Sequence, residues 1–371
     1  MMDTILNLGL NAKTAVGLRD LRGNGGFVAA CNKRFKEQFK DIVGENVPED
    51  PWEQLRGAVE AVFRSWHSPR AQAYRAREGI PEDLGTAVIV QTMVFGNLGE
   101  DSATGVLFTR NPATGEANLY GDLMFNAQGE DVVAGTHQTE SISVLDERMP
   151  EIGAELRKYS DTLERYYADV CDIEFTIEEG RLWMLQTRIG KRSPQAALRI
   201  AVEMAEDADF PLTKAAAVER VVRYLEDPPL LPAQRDSNAV VATTGLGASP
   251  GVASGEIATT PEAAVVMAEA GKSVLLVRRE TSPDDVHGMA KSAGILTSTG
   301  GLASHAAVVA RGWGIPAVVG AAAVAIDGEE VTIGDETYRQ GDVFTVDGGS
   351  GEVFIGAVSS GAVIVPEAAK P

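Results

Sequence analysis

Histidine and cysteine are scarce in this chain, four of one and two of the other among 371 residues. The cysteines, Cys31 and Cys171, cannot build a disulfide framework, and neither belongs to a CxxC pair. Buried thiols in a reduced compartment are therefore expected. Basic residues are also in deficit, 33 Lys and Arg against 53 Asp and Glu, for a net charge of −20. That balance lacks the basic footprint of a nucleic-acid binder and disfavours docking on anionic lipid. No apolar run approaches the roughly twenty residues of a membrane span. The opening "MMDTILNLGL" has neither the basic start nor the small-residue cleavage site of a signal peptide. These absences point to a cytoplasmic chain without nucleic acid or membrane among its partners.

What is present divides into blocks. Residues 1–192 mix helical and strand patterns and end in "CDIEFTIEEGRLWMLQTRIGKR". Within them 51–78 reads as helical, with Trp52, Leu55, Val59, Val62 and Phe63 at helical spacing. "TAVIVQTMVFG" (86–96) is apolar nearly throughout and predicts a strand buried on both faces. Residues 193–239 carry two helical patterns and then "EDPPLLPAQRDSN" (226–238), a proline-rich and semi-rigid linker by composition. Block 240–358 is rich in Gly, Ala and Val, with strands expected at 273–280, 294–298 and 316–320, a helix over "SHAAVVARG" and a closing β-meander. A loose tail is expected at 359–371. The fold class is α/β and α+β, in more than one domain.

One of the four histidines stands in "GILTSTGGLASHAAVVARGWGIPAVVG", residues 294–320. Strand, glycine-rich turn, then helix is a phosphate-handling geometry. Gly300 and Gly301 permit tight or positive-φ backbone, Ser304 is placed to cap the helix, and His305 falls in its first turn. Free backbone N–H groups and the positive dipole end favour anions there. The same field disfavours imidazolium, so the ring is expected to be neutral and nucleophilic at pH 7. An isolated histidine on an Ala/Val helix would be a capping or core residue; the 27-residue context argues otherwise.

In "CDIEFTIEEGRLWMLQTR", Asp172 and Glu174 are two apart, as are Gln186 and Arg188, so each pair shares a strand face. With a three-residue turn at 179–181, Asp172 faces Arg188 and Glu174 faces Gln186. Two carboxylates can hold Mg²⁺ through oxygen, and an arginine can fork onto a phosphate. A two-residue turn would put the pairs on opposite faces. Taken alone, the stretch fits a surface hairpin with cross-strand ion pairs equally well.

The 294–320 segment, "GASPGVASGEI" (247–257), "RRETSPDD" (278–285) and the closing "DGGSGEVFIG" resemble the phosphohistidine swivelling domain of the phosphoenolpyruvate-utilising enzymes. "TGVLFTRNPATGE", "NAQGEDVVAG" and "FRSWHSPRAQAYR" are close to the pyruvate phosphate dikinase pattern within that family. The resemblance implies a partial ATP-grasp nucleotide-binding domain followed by a β/β/α phosphohistidine domain, with His305 as the phosphoryl acceptor. It further implies Glu174 and Gln186 as ligands of Mg²⁺–ATP, Asp172 as their neighbouring carboxylate and Arg188 as a phosphate ligand. Gln91 would read the base and Glu130 would be a ribose or adenine contact; Arg110 reads as a phosphate contact or, in preference, an ordinary ion pair. ATP would then deliver its β-phosphoryl to His305 and its γ-phosphoryl to inorganic phosphate. One position departs from the family: the threonine two residues before the histidine, the target of a regulatory protein, is Ala303 here.

The same resemblance implies a glycine-rich loop, a lysine and an arginine ahead of "MMDTILNLGL" that have no counterpart in this chain. It also implies a phosphoenolpyruvate/pyruvate barrel, which needs roughly 200 residues or more. The expected activity is thus the first half-reaction, with a separate pyruvate-binding domain or acceptor protein for the second. Rival readings are a phosphoenolpyruvate synthase-like enzyme, a non-catalytic phosphocarrier, or a piece of a longer enzyme. Self-association into a homo-oligomer is expected if apolar surface of the nucleotide half lies open.

Overall fold

In the computed structural model, which describes residues 4–22, 25–133, 139–226, 231–235, 240–358 and 360–364, contacts divide the chain at 94/95. The first unit, Met1–Val94, is helical: α1 (Ala12–Arg22), α2 (Gly25–Val43), α3 (Pro51–Ser65) and α4 (Pro69–Glu78). Helix α2 buries Phe27, Cys31, Phe35 and Phe39, one per turn. The helix expected over 51–78 is two helices. Ser68 accepts from the Ala71 N–H and Pro69 has no N–H to give a preceding turn, so the chain restarts there. The buried face also differs from the apolar stripe. Gln54, Ala58, Ala61 and Ser65 point inward, while Trp52 and Phe63 are exposed. Small side chains let α2 approach, and the Phe39 ring lies beside Gly57. Gln54 donates to the Leu10 and Pro48 carbonyls and accepts from the Gly9 N–H.

The expected strand over 86–96 is absent from the described residues, and Ile89 is 86% exposed. Apolar composition suggested burial, but a strand exists only against a partner ladder, and no described strand pairs with this segment.

The second unit, Phe95–Pro371, opens with β1 (Ala103–Phe108), β2 (Tyr120–Phe125), α5 (Gly129–Val133), β3 (Glu140–Ser141), α6 (Leu145–Arg148) and α7 (Pro150–Tyr167). A hairpin follows, β4 (Cys171–Glu178) and β5 (Arg181–Ile189). The five strands form one antiparallel sheet in the order β3-β2-β1-β4-β5. Leu107, Leu123, Ile173 and Phe175 turn to one face and pack with Ile152 and Leu156 of α7. Alternation then sends Val106, Asp122, Asp172 and Glu174 to the other face. Two helices, α8 (Pro194–Glu206) and α9 (Lys214–Glu226), form their own apolar cluster, as the 193–226 pattern predicts.

Beyond β6 (Leu231–Arg235), β7 (Val241–Thr244), β8 (Leu246–Ser249) and β9 (Val252–Ala258) come α10 (Pro261–Glu269), β10 (Val274–Arg278), α11 (Val286–Met289), β11 (Gly294–Thr297), α12 (His305–Trp313) and β12 (Ala317–Val319). The chain closes with β13 (Val324–Asp327), β14 (Glu330–Ile333), β15 (Glu336–Arg339), β16 (Val343–Asp347), β17 (Glu352–Ile355) and β18 (Ser360–Ile364). Eight strands make a sheet in the order β7-β17-β16-β9-β10-β11-β12-β8, with β9 to β12 parallel. Helices α10 and α12 cover one face through Ala264, Met267, Ala307 and Ala310. On the other, Leu275, Val277 and Leu296 pack with Val331 and Ile333 of the small sheet β13-β14-β15. The layers are therefore sheet, sheet, helix.

Two expectations change here. The single meander is split: β13–β15 form the outer layer, and β16–β17 join the central sheet because Phe344, Val346 and Val353 are needed in its core. The linker and tail are not wholly irregular, since β6 pairs antiparallel with β18; residues 227–230, 236–239, 359 and 365–371 lie outside the described residues. Both cysteines are buried, and neither forms a disulfide. Burial, with Glu164, Asp169 and Asp172 nearby, pushes the Cys171 thiol up to about 12, so it stays a thiol. No described helix is long and apolar enough to cross a membrane.

Candidate functional site

The β4–β5 hairpin delivers the four expected partners by an unexpected route. Its turn holds two residues, Glu179 (φ 49°) and Gly180 (φ 72°), both in the left-handed conformation that suits a tight hairpin. A two-residue turn should have separated the pairs. However, the register shifts between Glu174 and Phe175, so that Met184 faces Phe175 while Gln186 faces Glu174. Leu185 is the extra residue, and this bulge restores Asp172 opposite Arg188 and Glu174 opposite Gln186.

Arg188 lies across both carboxylates, its Nε donating to Asp172 Oδ2 at 2.7 Å and its Nη2 to Glu174 Oε1 at 3.1 Å. Asp172 is buried, whereas Glu174 is a third exposed. Burial raises the Glu174 pKa; Arg188 opposes the rise and Asp172 adds to it. Asp172 Oδ1 is buried with no hydrogen-bond partner. An orphaned carboxylate oxygen, a second carboxylate and an amide oxygen form a donor set suited to a hard cation, which keeps waters and phosphate oxygens in its remaining positions. Gln186 is exposed, as is Gln91 of the first unit. Glu130 is half-buried in α5. Arg110 pairs with Glu164 at 3.0 Å and Glu203 at 2.8 Å, the ordinary ion pair the sequence suggests.

His305 is the first residue of α12, after Ser304 at the N-cap. Gly300 has φ 100°, a left-handed backbone open to glycine. Gly301 is required for a different reason: a Cβ there would sit 2.5 Å from Asp122 Oδ2 and Thr139 Oγ1. Ser304 takes the cap position, but its hydroxyl makes no cap bond and its Oγ is buried without a partner. The His305 Nδ1 lies 3.0 Å from Thr281 Oγ1, and its Nε2 is buried without a hydrogen-bond partner. The ring pKa is lowered to about 4 by burial, against the pull of Asp285 and Asp284. The direction is the expected one; burial rather than the helix end is the main cause. His67 and His287 are surface residues, and His137 lies outside the described residues.

The two regions meet on one sheet face. Paired positions run Asp122, Val106, Glu174, Gln186 across β2-β1-β4-β5, and the next row is Tyr120, Phe108, Asp172, Arg188. On that face the loop before His305 is seated. The Ala303 N–H donates to Asp122 Oδ2 at 2.7 Å, and the Ala303 methyl packs with Val106, Val132 and Met124. Asp122 and Glu174 are two strands apart, roughly 10 Å. Burial raises the Asp122 pKa, opposed by hydrogen bonds from Ala303, Thr139 and Leu302 and by Arg311.

Three residues here escaped the sequence reading: Thr281, Asp122 and Arg311. Thr281 stood in the quoted "RRETSPDD" without a role. Asp122 carries no local signal, because an acid in a strand normally faces water. Arg311 reads as the polar side of a helix but is fully buried.

A mixed α/β chain of several domains, with a buried histidine whose preceding loop is seated on a carboxylate-bearing sheet face, is the class this geometry defines. Family comparison agrees. A model described as "Pyruvate phosphate dikinase, AMP/ATP-binding domain" matches residues 1–153 and 150–209, and one described as "PEP-utilising enzyme, mobile domain" matches 270–351. The chain belongs to the pyruvate phosphate dikinase family. It is 50% identical to pyruvate, phosphate dikinase of Rhizobium meliloti (strain 1021) across 88% of its length, covering 38% of that protein. With the chloroplastic enzyme of Flaveria trinervia it shares 44% identity over 96% of its length and 42% of the relative's. For the Clostridium symbiosum enzyme the figures are 41%, 97% and 47%. The chain thus spans less than half of the relatives it matches.

Proposed function

We propose that this chain performs the ATP- and phosphate-dependent half of a pyruvate phosphate dikinase reaction, with His305 as phosphoryl acceptor. The observation that carries this reading is the seating of the His305 loop on the sheet face that bears Asp172, Glu174, Gln186 and Arg188. Residues 1–192 would be the partial ATP-grasp domain, 193–239 the helical segment and linker, and 240–358 the swivelling domain.

At neutral pH the His305 ring carries one proton. With that proton on Nδ1, donated to Thr281 Oγ1, the Nε2 lone pair is free to attack the β-phosphorus of ATP. The γ-phosphoryl passes to inorganic phosphate, and AMP and pyrophosphate leave. The phosphorylated ring stays at the α12 N-terminus, where backbone N–H groups and the unpartnered Ser304 hydroxyl accept an anion. Asp172, Glu174 and Gln186 would hold Mg²⁺, which neutralises polyphosphate charge when bound. Arg188 would exchange its carboxylate partners for a phosphate oxygen, Gln91 would read the base and Glu130 the ribose or adenine. Pyruvate chemistry belongs to a separate domain or acceptor protein.

The test is labelling with ATP tagged in the β-phosphate, with Mg²⁺ and phosphate, in wild type and His305→Ala. An acid-labile label that vanishes in the variant is expected. A folded wild type that takes no label would leave the chain as a carrier or a piece of a longer enzyme.

A further inference from the structure

Among the described residues Arg311 is the largest of the fully buried side chains, at 0% exposure. A guanidinium stays charged in a protein, so its burial demands partners. Its Nη1 donates to the Ala248 carbonyl at 3.0 Å and its Nη2 to the Leu302 carbonyl at 2.6 Å. The first belongs to β8 at the edge of the central sheet. The second belongs to the loop that carries Ala303, Ser304 and His305.

The peptide joining Leu302 to Ala303 is thus gripped at both ends. Its carbonyl is held by Arg311, and its N–H by Asp122 at 2.7 Å. The guanidinium also lies 5.2 Å from the Phe108 ring centre, in the sheet row of Tyr120 and Asp172. Tyr120, Asp122 and Asp172 all favour its charge, against the cost of burial.

We propose that Arg311 is a positioning residue for phosphoryl transfer: by holding the Leu302 and Ala248 carbonyls together, it fixes the loop whose next turn begins at His305. This deepens the reading of His305 as acceptor and rests on it. A lysine can reach one carbonyl and not both in the same fork, and a methionine fills similar space with no donor.

The experiment uses the full chain, as wild type, Arg311→Met and Arg311→Lys. It reads circular dichroism, the ¹⁵N imidazole resonances of His305, and the rate of β-phosphoryl labelling. Expected are a folded Met variant with displaced His305 resonances and labelling slowed about a hundredfold, the scale of a 1 Å misplacement, and a Lys variant between the two. A folded Met variant with wild-type resonances and rate overturns the proposal. Should the Met variant fail to fold, the Lys variant decides: wild-type resonances and rate overturn the proposal, and a displaced ring with slower labelling supports it. Absence of label in wild type sinks the acceptor reading alone, because the imidazole resonances still test positioning.

Discussion

His305 makes a pH-dependent statement. Its folded pKa is about 4 and its unfolded value near 6.5, so between those limits the unfolded chain binds more protons. Stability contributed by the neutral ring is complete above about pH 6.5 and is lost as pH falls toward 4, by up to about 3 kcal/mol. Urea titrations between pH 4 and 7 should show that slope in wild type and a shallower one in His305→Ala. Labelling of His305 should be insensitive to the ring's own titration between about pH 5 and 8, since it remains neutral throughout. Gly301 gives a second residue-level outcome. In Gly301→Ala the new methyl meets the side-chain oxygens of Asp122 and Thr139 at 2.5 Å, so those side chains turn aside and loosen the Asp122–Ala303 bond, or the loop lifts from β2, at a cost of about 1–3 kcal/mol. Faster hydrogen exchange at the Ala303 amide, bonded to Asp122 in wild type, would report it; unchanged exchange would mean that the contact gives way elsewhere.

At the scale of elements, Ser193 anchors α8. Its Oγ accepts from the Ala196 N–H as the N-cap and donates to the Ala113 carbonyl at 2.7 Å, while the residue is buried. Ser193→Ala removes both bonds and leaves a buried carbonyl short of a donor, so a loss of about 1–3 kcal/mol is expected in denaturant unfolding. Gly180→Ala should cost about 1 kcal/mol through its φ of 72°, with Arg188 still over Asp172, because the turn and the bulge at Leu185 are separate devices. Much of the secondary structure was legible: α8, α9, β10, β11, α12 and β12 lie where the pattern puts them, whereas the apolar stripe over 51–78 mistook both the continuity and the buried face of α3 and α4. The bulge was not legible, since a residue left out of a ladder changes no local propensity.

Across the whole molecule, Leu84, Ile89 and Val90 are 68%, 86% and 69% exposed. Apolar surface of this kind favours association. Light scattering at micromolar concentration is expected to give a mass above the 39.2 kDa of one chain, and Ile89→Lys with Val90→Lys to bring it down. A wild-type monomer would refute this.

By itself the sequence determined the family, the strand–turn–helix around His305 and the pairing of Asp172 and Glu174 on one strand face, because these depend on residues close together in the chain and on short-range backbone geometry. Only the tertiary structure decided that Asp122 would receive the Ala303 N–H from 181 positions away, that Arg311 would be buried rather than solvated, and that 86–96 would join no described ladder. Those outcomes turn on which surfaces exclude water from each other. Burial, which lowers the His305 pKa and orphans Asp172 Oδ1, belongs to the packed tertiary structure and to no single stretch of chain.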